Sequence, residues 1–258
     1  MLEVGGETLV LTHDTMAEGT HFRPDADARD VAWKLVASNL SDLAAKGADP
    51  VGALLSYPIG GEDSEFVGGL WAALDAMDVR LLGGDTFAAS GPRTLGITAI
   101  GRATHTPVPS RAGAQIGDRV YVTGTLGRAM LGFEGDEAHL EALNRPSPRL
   151  DEGRALAPLV TAMMDVSDGL LLDAFRLAGA SEVTLSIDST AVPVASVERR
   201  DDALRWGDDY ELLFTLPADA KCPVPAARIG VVEQRGFAPI MLDGHPLVNE
   251  QGLGYQHL

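Results

Sequence analysis

The chain has 258 residues, a formal net charge of -17, 45% hydrophobic residues and a single cysteine, Cys222. That acidity opposes any sequence-independent grip on nucleic acid, which needs a basic surface to displace counterions. No apolar run approaches the ~18 residues of a membrane span, one cysteine supports no disulfide framework, and no basic leader opens the sequence, so a soluble protein of the reducing cytoplasm with room for two domains is expected.

Leu9-Val10-Leu11-Thr12 reads as a short strand that delivers His13-Asp14-Thr15 to its end. Arg29 to Lys46 has Val31, Leu35 and Leu40 at helical spacing, which puts Asp42 in or near the last turn. Ser64 to Met77 starts with acids and carries Phe66, Leu70, Ala73 and Leu74 on one side, a second helix. Val79 to Leu82 follows as a buried strand, with Gly83-Gly84-Asp85-Thr86 as the turn after it, and Thr94 to Arg102 is β-rich. The Thr, Pro, Ser and Gly content of 104–117 marks a boundary. Beyond it, Asp118 to Thr123 alternates like a strand and Asp151 to Thr161 looks helical. Met163-Met164-Asp165 ends an apolar run, Asp168-Gly169-Leu170 opens another helix, and Val183 to Ile187 and Leu212 to Leu216 read as strands.

Four aspartate-bearing segments thus stand at the ends of apolar elements: Asp14, Asp42, Asp85 and the pair Asp165 and Asp168. Hard divalent cations want oxygen ligands and offset repulsion among carboxylates, so this pattern points to several Mg²⁺ ions shared with a polyphosphate. No G-x-x-x-x-G-K-[ST] motif is present, which leaves phosphate to metal, glycine-rich backbone and arginine. In Asp165-Val166-Ser167-Asp168-Gly169, capping would account for Ser167 or Asp168 but not for Asp165 as well. An EF-hand is a poor fit, because Leu170-Leu171-Leu172 stands where further oxygen ligands belong. Gly83-Gly84-Asp85-Thr86 suits either a plain β-turn or a backbone approach to phosphate. His21, in Glu18-Gly19-Thr20-His21-Phe22, and Arg111, in the linker, each suit a phosphate contact or an ordinary structural role.

Taken in order, Thr12-His13-Asp14-Thr15, Glu18-Gly19-Thr20-His21-Phe22, Asn39-Leu40-Ser41-Asp42-Leu43-Ala44-Ala45-Lys46-Gly47-Ala48, Gly83-Gly84-Asp85-Thr86, Asp165-Val166-Ser167-Asp168-Gly169-Leu170 and Asp209-Tyr210-Glu211-Leu212 resemble the thiamine-monophosphate kinase family of the aminoimidazole ribonucleotide synthase-like superfamily. The resemblance spans nearly the whole chain. It implies a two-domain α/β (α+β) fold, with 1–106 binding metal and substrate and pairing as a homodimer through its sheet, and 107–258 completing a nucleotide site in the cleft. It implies transfer of the γ-phosphoryl of ATP onto thiamine monophosphate, giving thiamine diphosphate and ADP, with several Mg²⁺ ions and no covalent enzyme intermediate. Carried over by position, Thr12, His13, Asp14, Asp42, Asp85, Asp165 and Asp168 match metal positions, Gly84, Asp85, Arg111 and Ser167 match nucleotide contacts, and His21, Asp208 and Tyr255 match those facing thiamine phosphate.

Three departures accompany the likeness. The Gly-Asp-Asp-Ala-like segment usual upstream has no counterpart before Met1, so one metal site is expected to lack a carboxylate. His13 stands where Thr is usual, and the family's Gly-Gly-Glu-Asp-Tyr-Glu-Leu is shortened at Trp206-Gly207-Asp208. The alternatives are another ATP-using superfamily member, such as a selenide, water dikinase, a catalytically silent nucleotide or metal module, or a two-metal phosphohydrolase. Selenide chemistry wants a reactive cysteine near the N-terminus, whereas Cys222 is far from it.

Overall fold

The computed structural model describes residues 1–256, folded around two mixed β-sheets. The first sheet contains β1 (Leu2–Val4), β2 (Glu7–Ala17), β3 (Ala48–Ile59), β4 (Leu81–Ala88) and β5 (Thr94–Ala103), in the order β1-β2-β5-β3-β4. Helices α1 (Ala28–Ala44) and α2 (Asp63–Ala76) cover one face. Leu35, Leu40, Leu43, Phe66, Leu70 and Leu74 bury there against Val10, Met16, Leu95 and Ile97. Alternation along β2 follows directly: Val10 and Met16 are buried, while Leu11, His13 and Thr15 are exposed on the uncovered face.

The second sheet contains β6 (Arg119–Thr123), β7 (Ala162–Val166), β8 (Val183–Ile187), β9 (Glu211–Leu216), β10 (Ala226–Gln234), β11 (Ile240–Leu242) and β12 (His245–Leu247), in the order β12-β11-β8-β10-β6-β9-β7. Short helices α3 (Arg128–Phe133), α4 (Leu140–Asn144) and α5 (Leu150–Leu156) follow β6, and α6 (Leu170–Ala180) and α7 (Arg200–Trp206) come later. The apolar face of α6 supplies Leu170, Leu171, Ala174 and Leu177 to the core of this half. Ala44 and Ala45, at the end of α1, pack with Leu156, Met163, Leu212 and Phe214. The C-terminal turn of α1 is therefore shared by both sheets, and β7 meets it there.

Two sequence expectations are corrected. Leu9–Thr12 is the middle of a strand that runs on to Ala17, because β5 pairs with it residue for residue through Ala17↔Thr94. Gly83-Gly84-Asp85-Thr86 is no turn but part of β4, paired in parallel with Leu54–Tyr57. A Cβ on Gly84 would lie 2.1 Å from the Leu55 carbonyl oxygen, so strand packing by itself demands glycine there. The long strand β3 escaped the sequence reading because Pro50, Gly52 and Pro58 break its β pattern; a bulge lies between Pro50 and Gly52, and Pro58 falls beyond the last pair with β5, at Ser56.

Candidate active site at the seam of the two sheets

Three elements meet where α1 ends. The last turn of α1 carries Asn39, Ser41 and Asp42. Asn39 donates from Nδ2 to the Leu35 carbonyl at 2.8 Å, which leaves Oδ1 to accept the Asp14 N–H at 3.0 Å. Thr12 Oγ1 donates to Asp42 Oδ2. Facing away from the β2 contacts, Ser41 Oγ donates to Asp165 Oδ2 at 2.7 Å, a buried bond from α1 to the end of β7. Thr12, Asp14, Asp42 and Asp165 are thus gathered by one helical turn acting as a hub.

Asp168 sits just beyond β7, where Arg176 of α6 grips its carboxylate. The N-cap of α6 is Gly169, with no side-chain cap, so neither Ser167 nor Asp168 fills the capping role. Instead Asp173 Oδ2 accepts the N–H groups of Ser167 and Asp168, each at 3.1 Å. The anion at this helix entrance is one of the chain's own.

Electrostatics bind these acids into one group. Asp14 is pushed up to about 6, first by burial, then by the charge of Asp42, with Asp168 adding and His13 opposing. Asp165 is also raised, by burial and by Asp42, while its bond from Ser41 pulls the other way. Asp173, fully buried, rises to about 7 through burial and Asp168. Arg176, which also reaches Asp173 Oδ1 at 3.2 Å, offsets this carboxylate charge only in part.

The donor set fits Mg²⁺, a hard ion that takes all-oxygen ligands. Among the described residues no three His, Cys, Asp or Glu side chains form a ready-made metal cluster. Mg²⁺ is commonly held by one or two protein carboxylates, with water and substrate phosphate in the remaining positions.

Other sequence candidates fall differently. The side chain of His13 lies on the open face of the first sheet, bonded to Thr98 Oγ1 at 2.9 Å and Thr15 Oγ1 at 3.3 Å, and thus points away from Asp14. Asp85 shares that face: it pairs with Ser56, which pairs with Gly96, which pairs with Thr15. Three strand spacings separate Asp85 from Thr15, roughly 14 Å. Within one chain neither His13 nor Asp85 joins the acids at the seam, because a strand alternates its side chains and both fall on the odd parity. Gly84 lies beside Asp85 in β4, remote from the α1 hub. Arg111 is exposed in the linker, where its carbonyl accepts from Ser181 Oγ at 2.9 Å.

In the segment after α7, Asp208 is fixed by Lys34 Nζ on Oδ2 at 2.7 Å and by the Tyr210 hydroxyl on Oδ1 at 3.1 Å. Its N–H donates to the Ser167 carbonyl at 2.8 Å. Asp208 and Tyr210 both have positive φ, +58° and +52°, a conformation costly for side-chain-bearing residues and held here by the contact with β7. Beside them a cavity of about 270 Å³ is lined by Arg128, Arg145, Arg149 and Asp209. The His21 ring accepts the Ala17 N–H through Nδ1 at 3.0 Å, and Arg23 ties the same loop to the Phe133 carbonyl at 2.7 Å. Phe133 in turn packs on Trp206, with ring centroids 5.1 Å apart. Tyr255 donates its N–H to the Asp168 carbonyl at 2.9 Å. Cys222 is half-buried far along the chain, its thiol directed at the Val224 carbonyl, outside this site.

Sequence reasoning quoted Asn39, Ser41 and Tyr210 only as parts of motifs and gave them no role, and it gave none to Lys34, Asp173 or Arg176, which lie within helices; only their contacts across the seam reveal what they do.

Gly207 is the joint between α7 and the Asp208 loop. It holds φ +92°, and a Cβ there would lie 2.4 Å from the Ser167 carbonyl oxygen. Gly207→Ala is expected to lower stability by about 2 kcal/mol or more and to reduce turnover with it, as the loop shifts off β7. Thermal unfolding together with kcat checks this, and unchanged values for both would show the loop to be adaptable.

Residues 1–103 match the family described as AIR synthase related protein, N-terminal domain, and residues 115–239 match AIR synthase related protein, C-terminal domain. The thiamine-monophosphate kinase of Escherichia coli K12 is 37% identical over 238 residues, which cover 82% of this chain and 72% of the relative. The crystal structure of thiamine-monophosphate kinase from Stenotrophomonas maltophilia K279a superposes with a TM-score of 0.85 at 35% identity, covering 94% of this chain and 87% of that one. The structure of AaThiL complexed with AMPPCP and TMP superposes with a TM-score of 0.89 at 29% identity, covering all of this chain and 89% of that one.

Proposed function

Because this chain belongs to the AIR synthase related family and, within it, to the thiamine-monophosphate kinases, we propose that the acids at its α1 seam carry the ATP-dependent phosphorylation of thiamine monophosphate to thiamine diphosphate. The kinase activity itself is that of its relatives, one of which is seen with an ATP analogue and TMP. The observation that carries the assignment of site is the meeting of Asp14, Asp42 and Asp165, from β2, α1 and β7, through the hydrogen bonds of one stretch of α1, with Asp168 just beyond β7.

Phosphoryl transfer of this kind needs positioning and charge neutralisation more than covalent chemistry. Asp14, Asp42, Asp165 and Asp168 would hold Mg²⁺, several ions in all, with Thr12 and Ser41 orienting their carboxylates. When bound, Mg²⁺ supplies charge neutralisation between the donor and acceptor phosphates. Lys34 and Tyr210 hold Asp208 rigid, so that it meets the acceptor without rotamer freedom. His21 and Tyr255 flank that side. The acceptor is already an anion, so direct in-line transfer requires no activating base. Arg111 and Ser167 would meet the nucleotide, in the division of labour between 1–106 and 107–258 that the resemblance implies.

A homodimer belongs to the same reading. The face of the first sheet opposite α1 and α2 exposes Leu11, Leu54 and Leu82 along with His13 and Asp85. An apolar sheet face of that kind is best buried against a second copy, and Asp85 would then lie within the interface. No helix among the described residues is long and apolar enough to cross a membrane, and a cytoplasmic location accords with the substrates.

Purified protein given ATP, Mg²⁺ and thiamine monophosphate is expected to form thiamine diphosphate and ADP in equal amounts and to sediment as a dimer. Phosphate release without an acceptor would favour a hydrolase, and nucleotide binding without turnover a silent module.

A further inference from the structure

Lys46 lies one turn past Asp42, where the chain leaves α1. Its N–H donates to the Leu43 carbonyl at 3.1 Å. The next residue, Gly47, holds φ +57° in a space where a Cβ would lie 2.3 Å from that of Ala157, and its carbonyl accepts both the N–H and the hydroxyl of Thr104, at 3.1 and 2.6 Å. Lys46 is therefore set firmly between α1, α5 and the segment that leads to Arg111.

Ala45 packs with Met163, whose N–H donates to the Ser110 carbonyl at 2.8 Å, so the half-buried Lys46 and Arg111, each next in sequence to one of these residues, stand together near the end of β7 and Asp165. Burial lowers the pKa of Lys46, Arg111 lowers it further, and the carboxylates of Asp165 and Asp42 raise it. Among the described residues neither Lys46 nor the side chain of Arg111 makes an ion pair or hydrogen bond, although Lys34, Arg149 and Arg176 nearby each hold a carboxylate. Both cations stay unpaired although Asp42 and Asp165 are close enough to act on Lys46. They repel each other, Asp165 and Asp42 oppose that repulsion, and an anion of high charge density arriving beside them would relieve it further.

We propose that Lys46, with Arg111, receives the phosphate oxygens of the nucleotide beside Asp42 and Asp165, giving this chain a phosphate-binding lysine outside any glycine-rich loop. An ammonium suits that task as a compact point charge with three donors. The proposal rests on the kinase reading. It assigns Lys46 to the nucleotide rather than to the acceptor phosphate, because Lys34 and Asp208 already occupy the acceptor side. The plain alternative is a lysine that merely complements the C-terminal dipole of α1.

Lys46→Met, which keeps the length and removes the charge, separates the two. The readouts are calorimetric affinity for AMPPCP with Mg²⁺, KM for each substrate, and the unfolding temperature. Loss of one charge-assisted contact should weaken AMPPCP and raise KM for ATP about tenfold. KM for thiamine monophosphate should stay within about twofold, and Lys46→Arg should recover most of the loss. Should Lys46→Met fail to fold, Lys46→Gln carries the same measurements. Unchanged AMPPCP affinity, a change confined to KM for thiamine monophosphate, or a lower unfolding temperature with full nucleotide affinity would each overturn the proposal. A wild-type protein that makes no thiamine diphosphate would instead overturn the kinase reading on which it rests.

Discussion

Asp165→Asn is expected to reduce kcat/KM by about 10³ or more while raising the stability of the metal-free protein at pH 8. The two effects have one origin. Asp165 is buried at the end of β7 with Ser41 on one oxygen and the charge of Asp42 close by, an arrangement that disfavours its ionised form. A carboxyl whose pKa is raised by folding keeps its proton where the unfolded chain has lost it. Its contribution is therefore fully present below the ordinary aspartate value and is lost as pH climbs through the folded-state pKa. At pH 8 the folded wild type must either hold a proton that the unfolded chain has released or bear a buried anion, and the asparagine variant does neither, so the variant unfolds at higher temperature in EDTA. Near pH 5 the wild-type group is protonated and the difference closes. In the assembled reaction the same charge neutralises metal and phosphate, and losing one such preorganised group costs about 10²–10³, more where several act together. Kinetics and thermal unfolding across pH test both halves. Activity within about fivefold of wild type would remove Asp165 from the reaction.

The metal-free protein as a whole is expected to lose stability from about pH 4 to about pH 8, and Mg²⁺ to stabilise it more at pH 8 than at pH 5.5. Asp173 carries the first part of that statement. It is 0% exposed and its pKa is about 7, against 3.8 for an ordinary aspartate. Across that window it withdraws about 4 kcal/mol. Asp173→Asn should flatten the dependence between pH 4 and 7. Asp14, at about 6, carries the second part. Below that pH it holds a proton, which a metal must displace, and above it the carboxylate is ready to bind. Unfolding temperatures with EDTA or Mg²⁺ at both pH values decide the matter. An Mg²⁺ shift that is equal at the two would place the metal elsewhere.

Much of the fold was legible in local pattern. The helices over 29–46 and 64–77, the strands at 94–102 and 183–187, and the change of character after residue 104 follow from apolar periodicity and turn composition, which are properties of neighbouring residues. Failures came where a partner overruled the local signal. β2 and β4 run through polar and glycine-rich segments because β5 and β3 supply their hydrogen bonds. Strand pairing also settled the parity of the odd residues, and with it the separation of His13 and Asp85 from Asp14 within one chain.

The candidate site divides along the same line. The order of acidic motifs along the chain was enough for the resemblance to thiamine-monophosphate kinases and for Asp14, Asp42, Asp165 and Asp168 as acids of one kind, since residue type and order are written in the sequence. Which of them share a corner was decided by tertiary structure alone: Asn39 and Ser41 join α1 to β2 and β7 across 25 and 124 residues. Sequence alone likewise left Lys46 as one more helix-end lysine. Only the packing of α1 against α5 and the linker brings it, unpaired, beside Arg111, because the field at a charged group is a sum over neighbours in space and not along the chain.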